Sequence, residues 1–145
     1  MILKKKTFNQ INDIDYLVYL PDEYYNDEKS YPLVLFLHGA GERGNNVDSI
    51  KKHGIPKRIE EGAHFPFITI APQCRDGIWW SNRENINILE KLMHCLILDL
   101  KVDEKRIYGT GLSMGGFGIL ELALKVPSLF TAIVAICGGT ITNDL

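Results

Sequence analysis

Ser113 stands between two glycines in Gly111-Leu112-Ser113-Met114-Gly115, a Gly-x-Ser-x-Gly spacing. A serine at that spacing does chemistry when it sits on a sharp turn from strand to helix, with its hydroxyl raised off the end of a sheet. Glycines on either side let strand and helix approach closely around the turn. The helix N-terminus then directs unpaired N–H groups at the place where an oxyanion forms. The chemistry is acyl transfer, in which the hydroxyl attacks a carbonyl carbon and preorganised donors hold the negative oxygen. The competing reading is a glycine-rich turn with an ordinary serine. Arg106-Ile107-Tyr108 reads as a short buried strand before the turn and Phe117 to Leu124 as a helix after it, and this context favours the first reading.

The N–H of Met114, next after the serine, is one expected oxyanion donor. The second is expected from His38-Gly39-Ala40-Gly41-Glu42-Arg43-Gly44, from Ala40 or Gly39. His38 opens that loop and is read as bracing it rather than as the general base. Trp79 and Trp80 are candidates for lining a pocket, the alternative being that one packs in the core under the loop. Glu42 and Arg43 either contact substrate or pair with each other on the surface. His38, Gly39, Glu42, Arg43, Trp79 and Trp80 thus make up the expected substrate-binding set. His53, His64 and His94 show no ligand spacing and read as surface or loop residues. The three cysteines, Cys74, Cys95 and Cys137, form neither a disulfide framework nor a metal pair.

The elements that must position these residues follow from patterning. Lys5 to Gln10 and Asp15 to Leu20 read as a hairpin around Asn12-Asp13, with Tyr16, Val18 and Leu20 on one face and Asp15, Leu17 and Tyr19 on the other. Pro21 to Tyr31 reads as a polar surface connection. Leu33 to Leu37 is a continuous apolar run, as in a strand covered on both faces. Asp48 to Glu61 reads as helical but broken at Gly54 and Pro56 into two short pieces, and Phe67 to Ala71 as the next strand. A helix capped by Ser81 or Asn82 carries Ile86, Leu89, Met93, Leu96 and Leu100 on one stripe. Val102 to Lys105 reads as a turn, and Thr131 to Ile136 as a last buried strand. The alternation predicts a mostly parallel α/β sheet with helices on both faces, entered by an antiparallel hairpin, in a single domain over residues 1–145. Ligands bind beyond the C-terminal ends of the strands of such a sheet, where all three informative loops emerge.

Composition bounds the partners. Of 145 residues, 46% are hydrophobic and 23% charged, and the net charge of −2 gives no nucleic-acid-binding signature. The Lys4-Lys5-Lys6 run reads as a solvated strand face. No apolar run reaches the ~20 residues of a membrane helix, and the N-terminus lacks the apolar segment of a signal peptide. The expected setting is cytoplasmic, with reduced thiols.

With these motifs in place, the chain resembles the α/β-hydrolase superfamily, and within it the predicted-peptidase and esterase group related to phospholipase/carboxylesterases. The resemblance is carried by Leu37 to Gly44, Ala71-Pro72-Gln73-Cys74, Trp79, Arg106 to Gly116, and Ala135-Ile136-Cys137-Gly138-Gly139, and spans about Tyr16 to Gly139. It implies that Ser113 is the nucleophile, that the N–H groups of Ala40 and Met114 form the oxyanion hole, and that no metal or cofactor is used. The substrate implied is a small-molecule carboxylic ester or a peptide. The superfamily places an Asp or Glu and then a His after the serine. After Ser113 this sequence has no histidine, and its acids there are Glu121 and Asp144. The sequence therefore reads as a hydrolase domain truncated after the strand that follows the nucleophile helix, or completed by another polypeptide. Residues 131–136 would form an apolar edge open to self-association. A catalytically inactive remnant acting as a binding module is the alternative. A doubly wound nucleotide-binding domain is disfavoured, because Gly111-x-x-x-Gly115-Gly116 is not Gly-x-Gly-x-x-Gly.

Overall fold

The computed structural model describes residues 1–9 and 13–140. Asn12 and Gln10 of the expected hairpin, and Asp144, lie outside the described residues. The hairpin strands are β1 (Ile2–Phe8) and β2 (Ile14–Leu20), antiparallel, with Ile2 opposite Leu20 and Phe8 opposite Ile14. The first strand thus starts earlier than expected, at Ile2. The apolar runs form β3 (Tyr31–Leu37) and β4 (Ile68–Pro72). Two further strands, β5 (Val102–Leu112) and β6 (Ala132–Ile136), complete a sheet of order β1-β2-β4-β3-β5-β6. The pairs β3–β4, β3–β5 and β5–β6 are parallel, and β2 runs antiparallel to β4.

Alternation along the strands divides the core into two faces. On one face, Tyr16, Val18, Leu33, Leu35, Leu37, Ile68 and Ile70 pack with two helices. These are α2 (Arg83–Asp99), through Ile86, Leu89, Met93 and Leu96, and α3 (Met114–Lys125), through Ile119 and Leu122. On the other face, Leu17, Tyr19, Phe36 and Ala71 pack with Ile50 of the 3-10 helix Val47–Lys52 and with Ile59 of α1 (Gly54–Glu60). Asn82 caps α2, its side chain accepting from the Glu84 N–H.

Four expectations are corrected. Tyr24 and Tyr31, assigned to a surface connection, are buried, and Tyr31 begins β3. Pro56 does not break a helix, because it lies in the first turn of α1, where its missing N–H has no helical partner to lose. The charged stretch from Val102 is strand, not turn. There β5 runs past the end of β6, which pairs only from Tyr108 onward, so Glu104, Lys105 and Arg106 stay in solvent. The last strand is not buried in this chain: β6 lies at the sheet edge with Val134 62% and Ile136 47% exposed.

Candidate active site

The turn from β5 to α3 is made by Ser113 itself, at φ 53° and ψ −114°. A non-glycine residue there carries roughly 1–3 kcal/mol of strain, held by its surroundings. The Ser113 N–H donates to the Ile136 carbonyl at 2.7 Å, and its carbonyl accepts from the Phe117 N–H at 3.1 Å. The side chain is exposed at the C-terminal edge of the sheet. Close approach of backbone to backbone fixes the turn. A Cβ on Gly115 would lie 1.9 Å from the Leu37 carbonyl oxygen, and one on Gly111 would lie 2.2 Å from that of Gly115. The helix that follows Ser113 therefore rests directly on the end of β3. Met114 is its first residue, so the Met114 N–H has no carbonyl one turn back.

The loop leaving β3 begins with His38, which is fully buried. Its Nδ1–H donates to the Gly39 carbonyl at 2.6 Å, and its Nε2 accepts from the Cys74 N–H at 2.9 Å. Both ring nitrogens are occupied, and the imidazole is neutral. Burial pushes its pKa down to about 4, with the positive charge of Arg43 adding to the effect. His38 therefore neither touches substrate nor acts as general base; it is the brace that the sequence also allowed. Ala40–Glu42 forms a 3-10 turn, closed by Glu42 N–H to Gly39 O at 3.3 Å and Arg43 N–H to Ala40 O at 3.5 Å. The Ala40 N–H opens that turn and is not used by it. A Cβ on Gly39 would lie 3.6 Å from the Leu112 carbonyl, so the loop adjoins the elbow.

A histidine held neutral in the fold but titrating near its usual 6.5 when unfolded makes stability depend on pH. The unfolded state binds the extra proton, so His38 stabilises fully above pH 6.5, and that contribution is lost as pH falls from 6.5 through about 4. The expected loss is about 3 kcal/mol. Denaturant titrations at pH 7 and pH 4 should show it, and His38→Gln should reduce the difference.

The two tryptophans separate. Trp80 is fully buried, its Nε1–H donating to the His38 carbonyl at 3.1 Å and its ring edge-on to His38 at 5.2 Å. Trp80 is thus a prop beneath the loop and is removed from the substrate-binding set. Trp79 is 48% exposed and meets Phe117 edge-on at 6.2 Å. Phe117 escaped the sequence reading, although its place one helical turn after Ser113 could have marked it. Glu42 and Arg43 do not pair with each other. Glu42 is buried with its carboxylate 3.4 Å from His53 Nε2, so it does not present itself to solvent. Arg43 donates to the carbonyls of Ala40 at 3.0 Å and Ile78 at 3.2 Å, stitching this loop to the one that carries Trp79.

The remaining histidines are engaged elsewhere. His64 pairs with Asp22 at 2.7 Å. His94 lies beside Glu104 and Ile107, at the opposite end of β5 from Ser113. Among the described residues, no group of three or more His, Cys, Asp or Glu side chains is placed to hold a metal ion. The structure thus brings Ser113, Met114, Gly39, Ala40 and Trp79 to one edge of the sheet and places His38, Glu42 and Trp80 beneath it.

No family model matches the chain. It is 32% identical over 140 residues to the probable feruloyl esterase C of Aspergillus niger, covering 93% of this chain and 50% of that protein. Feruloyl esterase C of Emericella nidulans is also 32% identical over 140 residues, with the same coverage of 93% and 50%. Among solved structures, a thermostable esterase superposes with a TM-score of 0.78 at 31% identity, over 95% of this chain and 41% of that one. An acetyl xylan esterase from Aspergillus awamori superposes with a TM-score of 0.71 at 18% identity, over 94% and 53%. The chain spans about half the length of the curated relatives it matches.

Proposed function

We propose that this chain, whose fold is that of the α/β-hydrolase esterases it superposes on, is the nucleophile-bearing part of a serine hydrolase acting on carboxylic esters. The observation that carries this is Ser113, exposed on a strained turn at φ 53° directly before a helix. Its hydroxyl oxygen attacks the ester carbonyl, the C–O bond to the alcohol breaks, and an acyl-serine forms that water then hydrolyses. The N–H groups of Met114 and Ala40 stabilise the oxyanion. The exposed Trp79, edge-on to the half-buried Phe117, offers an apolar wall. The names of the similar proteins favour an ester over a peptide bond and an aromatic acyl group, against which such a wall fits.

The base is not in this sequence. No histidine follows Ser113; His38 is buried with both ring nitrogens engaged, His53 and His64 pair with Glu42 and Asp22, and His94 lies at the opposite end of β5. In this reading the general base is supplied from outside these 145 residues. One test supplies a base from solution. Imidazole should raise hydrolysis of methyl ferulate by the chain, and Ser113→Ala should abolish that increase. Equal imidazole dependence in both proteins would sink the proposal.

The second reading, a binding module, rests on β6. The opposite edge of the sheet, β1, is blunted by exposed Lys4, Lys5 and Lys6, whereas β6 leaves Val134 and Ile136 bare. Size-exclusion mass discriminates here: a dimer that persists on dilution would favour the module, and a monomer the hydrolase part.

A further inference from the structure

The dipeptide Gln73-Cys74, at the exit of β4, fastens the loop from His38 to Asn46 at four points. The Cys74 N–H donates to His38 Nε2 at 2.9 Å, and the Cys74 carbonyl accepts from the Gly44 N–H at 3.0 Å. The other two bonds come from the Gln73 side chain, whose Nε2 donates to the carbonyls of Glu42 at 2.9 Å and Asn46 at 2.8 Å. Two carbonyl partners require the NH2 end of the amide, which fixes its orientation. The Gln73 N–H is tied in turn to the Asp15 carbonyl at 2.8 Å. The backbone of Gln73 is therefore anchored to the sheet, while its side chain holds the loop.

The acceptor end has a different fate. Gln73 is 3% exposed, and its Oε1 has no hydrogen-bond partner among the described residues. A buried acceptor left unpaired is unfavourable, so packing alone does not explain an amide here. What the amide adds is a clamp on two backbone carbonyls of one loop. Glu42 closes the 3-10 turn that Ala40 opens, through its N–H to the Gly39 carbonyl. Holding the Glu42 carbonyl thus holds the direction of the Ala40 N–H.

We propose that Gln73 is a positioning residue for ester chemistry at Ser113: by clamping Glu42 and Asn46 it keeps the Ala40 N–H aimed at the oxyanion. This rests on the roles given above to Ser113 and Ala40. Its effect is on the transition state, where small misplacements of a donor are costly.

The test uses Ser113→Cys as background, because a thiol ionises without a general base. With p-nitrophenyl acetate, the thiol proton passes to buffer and sulfur bonds to the carbonyl carbon through an oxyanion. The C–O bond then breaks, and p-nitrophenolate leaves with the electron pair. With iodoacetamide, sulfur displaces iodide at a saturated carbon and no oxyanion forms. The ratio of the two rates at position 113, read by peptide mass apart from Cys95 and Cys137, isolates oxyanion stabilisation. Gln73→Met should lower the ratio roughly tenfold, part of the 10²–10³ that a whole donor supplies, and leave alkylation unchanged. Gln73→Glu, which has at most one proton to donate where the amide gives two, should lower it as well. An unchanged ratio in either folded variant overturns the proposal. A ratio in the Ser113→Cys background no higher than that of free glutathione overturns instead the reading on which it rests. Independently of any variant, both Nε2 protons of Gln73 should exchange slowly by NMR; rapid exchange would overturn the clamp.

Discussion

Gly115→Ala should unfold the elbow, lowering stability by at least about 3 kcal/mol, at or beyond the upper end of what overpacking costs. The added methyl would sit 1.9 Å from the Leu37 carbonyl oxygen and 2.8 Å from that of His38. Neither obstacle is the end of a flexible side chain; both are backbone at the end of the central strand β3. Relief requires α3 to lift from the sheet, which also carries Ser113 away from the loop of Ala40. Thermal or denaturant unfolding measures the loss. Gly41→Ala is the control, because no atom lies within 4 Å of its Cβ position, and it should stay within about 0.5 kcal/mol of the parent. Equal stability of the two variants would mean that the helix does not rest on β3 as described.

Trp80→Ala should cost about 3–5 kcal/mol, as for other large aromatic side chains removed from a core. Trp80 is fully buried, supports the His38 carbonyl through Nε1, and packs with its Cβ against Gly118 of α3. Removing it leaves a cavity under the loop and deprives a buried carbonyl of its donor. Trp79→Ala should behave oppositely: with half its surface already in water, it should change stability by less than about 1 kcal/mol and weaken binding of aromatic esters. A melting series with both variants separates the two residues. Similar losses from both would contradict their assignment to opposite sides of the loop.

This pair shows where the sequence stops being informative. Two adjacent tryptophans carry the same composition signal, and only the position of the His38 carbonyl decides which one goes inside. The elbow was legible because its requirements are local: glycines at fixed offsets, an apolar strand before, a helix after. The central strand from Leu33 was legible because a short unbroken apolar run between a proline and a glycine fits a strand covered on both faces. The beginning of β5 was not, because Val102-Asp103-Glu104-Lys105-Arg106 is polar enough for a turn. It joins the strand because Val102 pairs with Tyr31 and Ile107 with Leu33 of β3, the residues between bulging out opposite Pro32 before β6 begins to pair at Tyr108, and nothing in the residues themselves records that bulge. The Gln73 clamp was equally hidden. Its partners, Glu42 and Asn46, offer carbonyls, which every residue has, so no side-chain pattern could reveal them.

In the function proposed above, Ser113 is a preorganised nucleophile whose base is supplied from outside these 145 residues. Labelling with a fluorophosphonate, followed by peptide mapping beside a Ser113→Ala control, tests it most directly. The expected result is slow labelling confined to Ser113, absent from the control and accelerated by added imidazole. Rapid labelling of Ser113 without imidazole would show that a base is already present in the chain. No labelling of the folded chain even with imidazole would show that the serine is not a nucleophile.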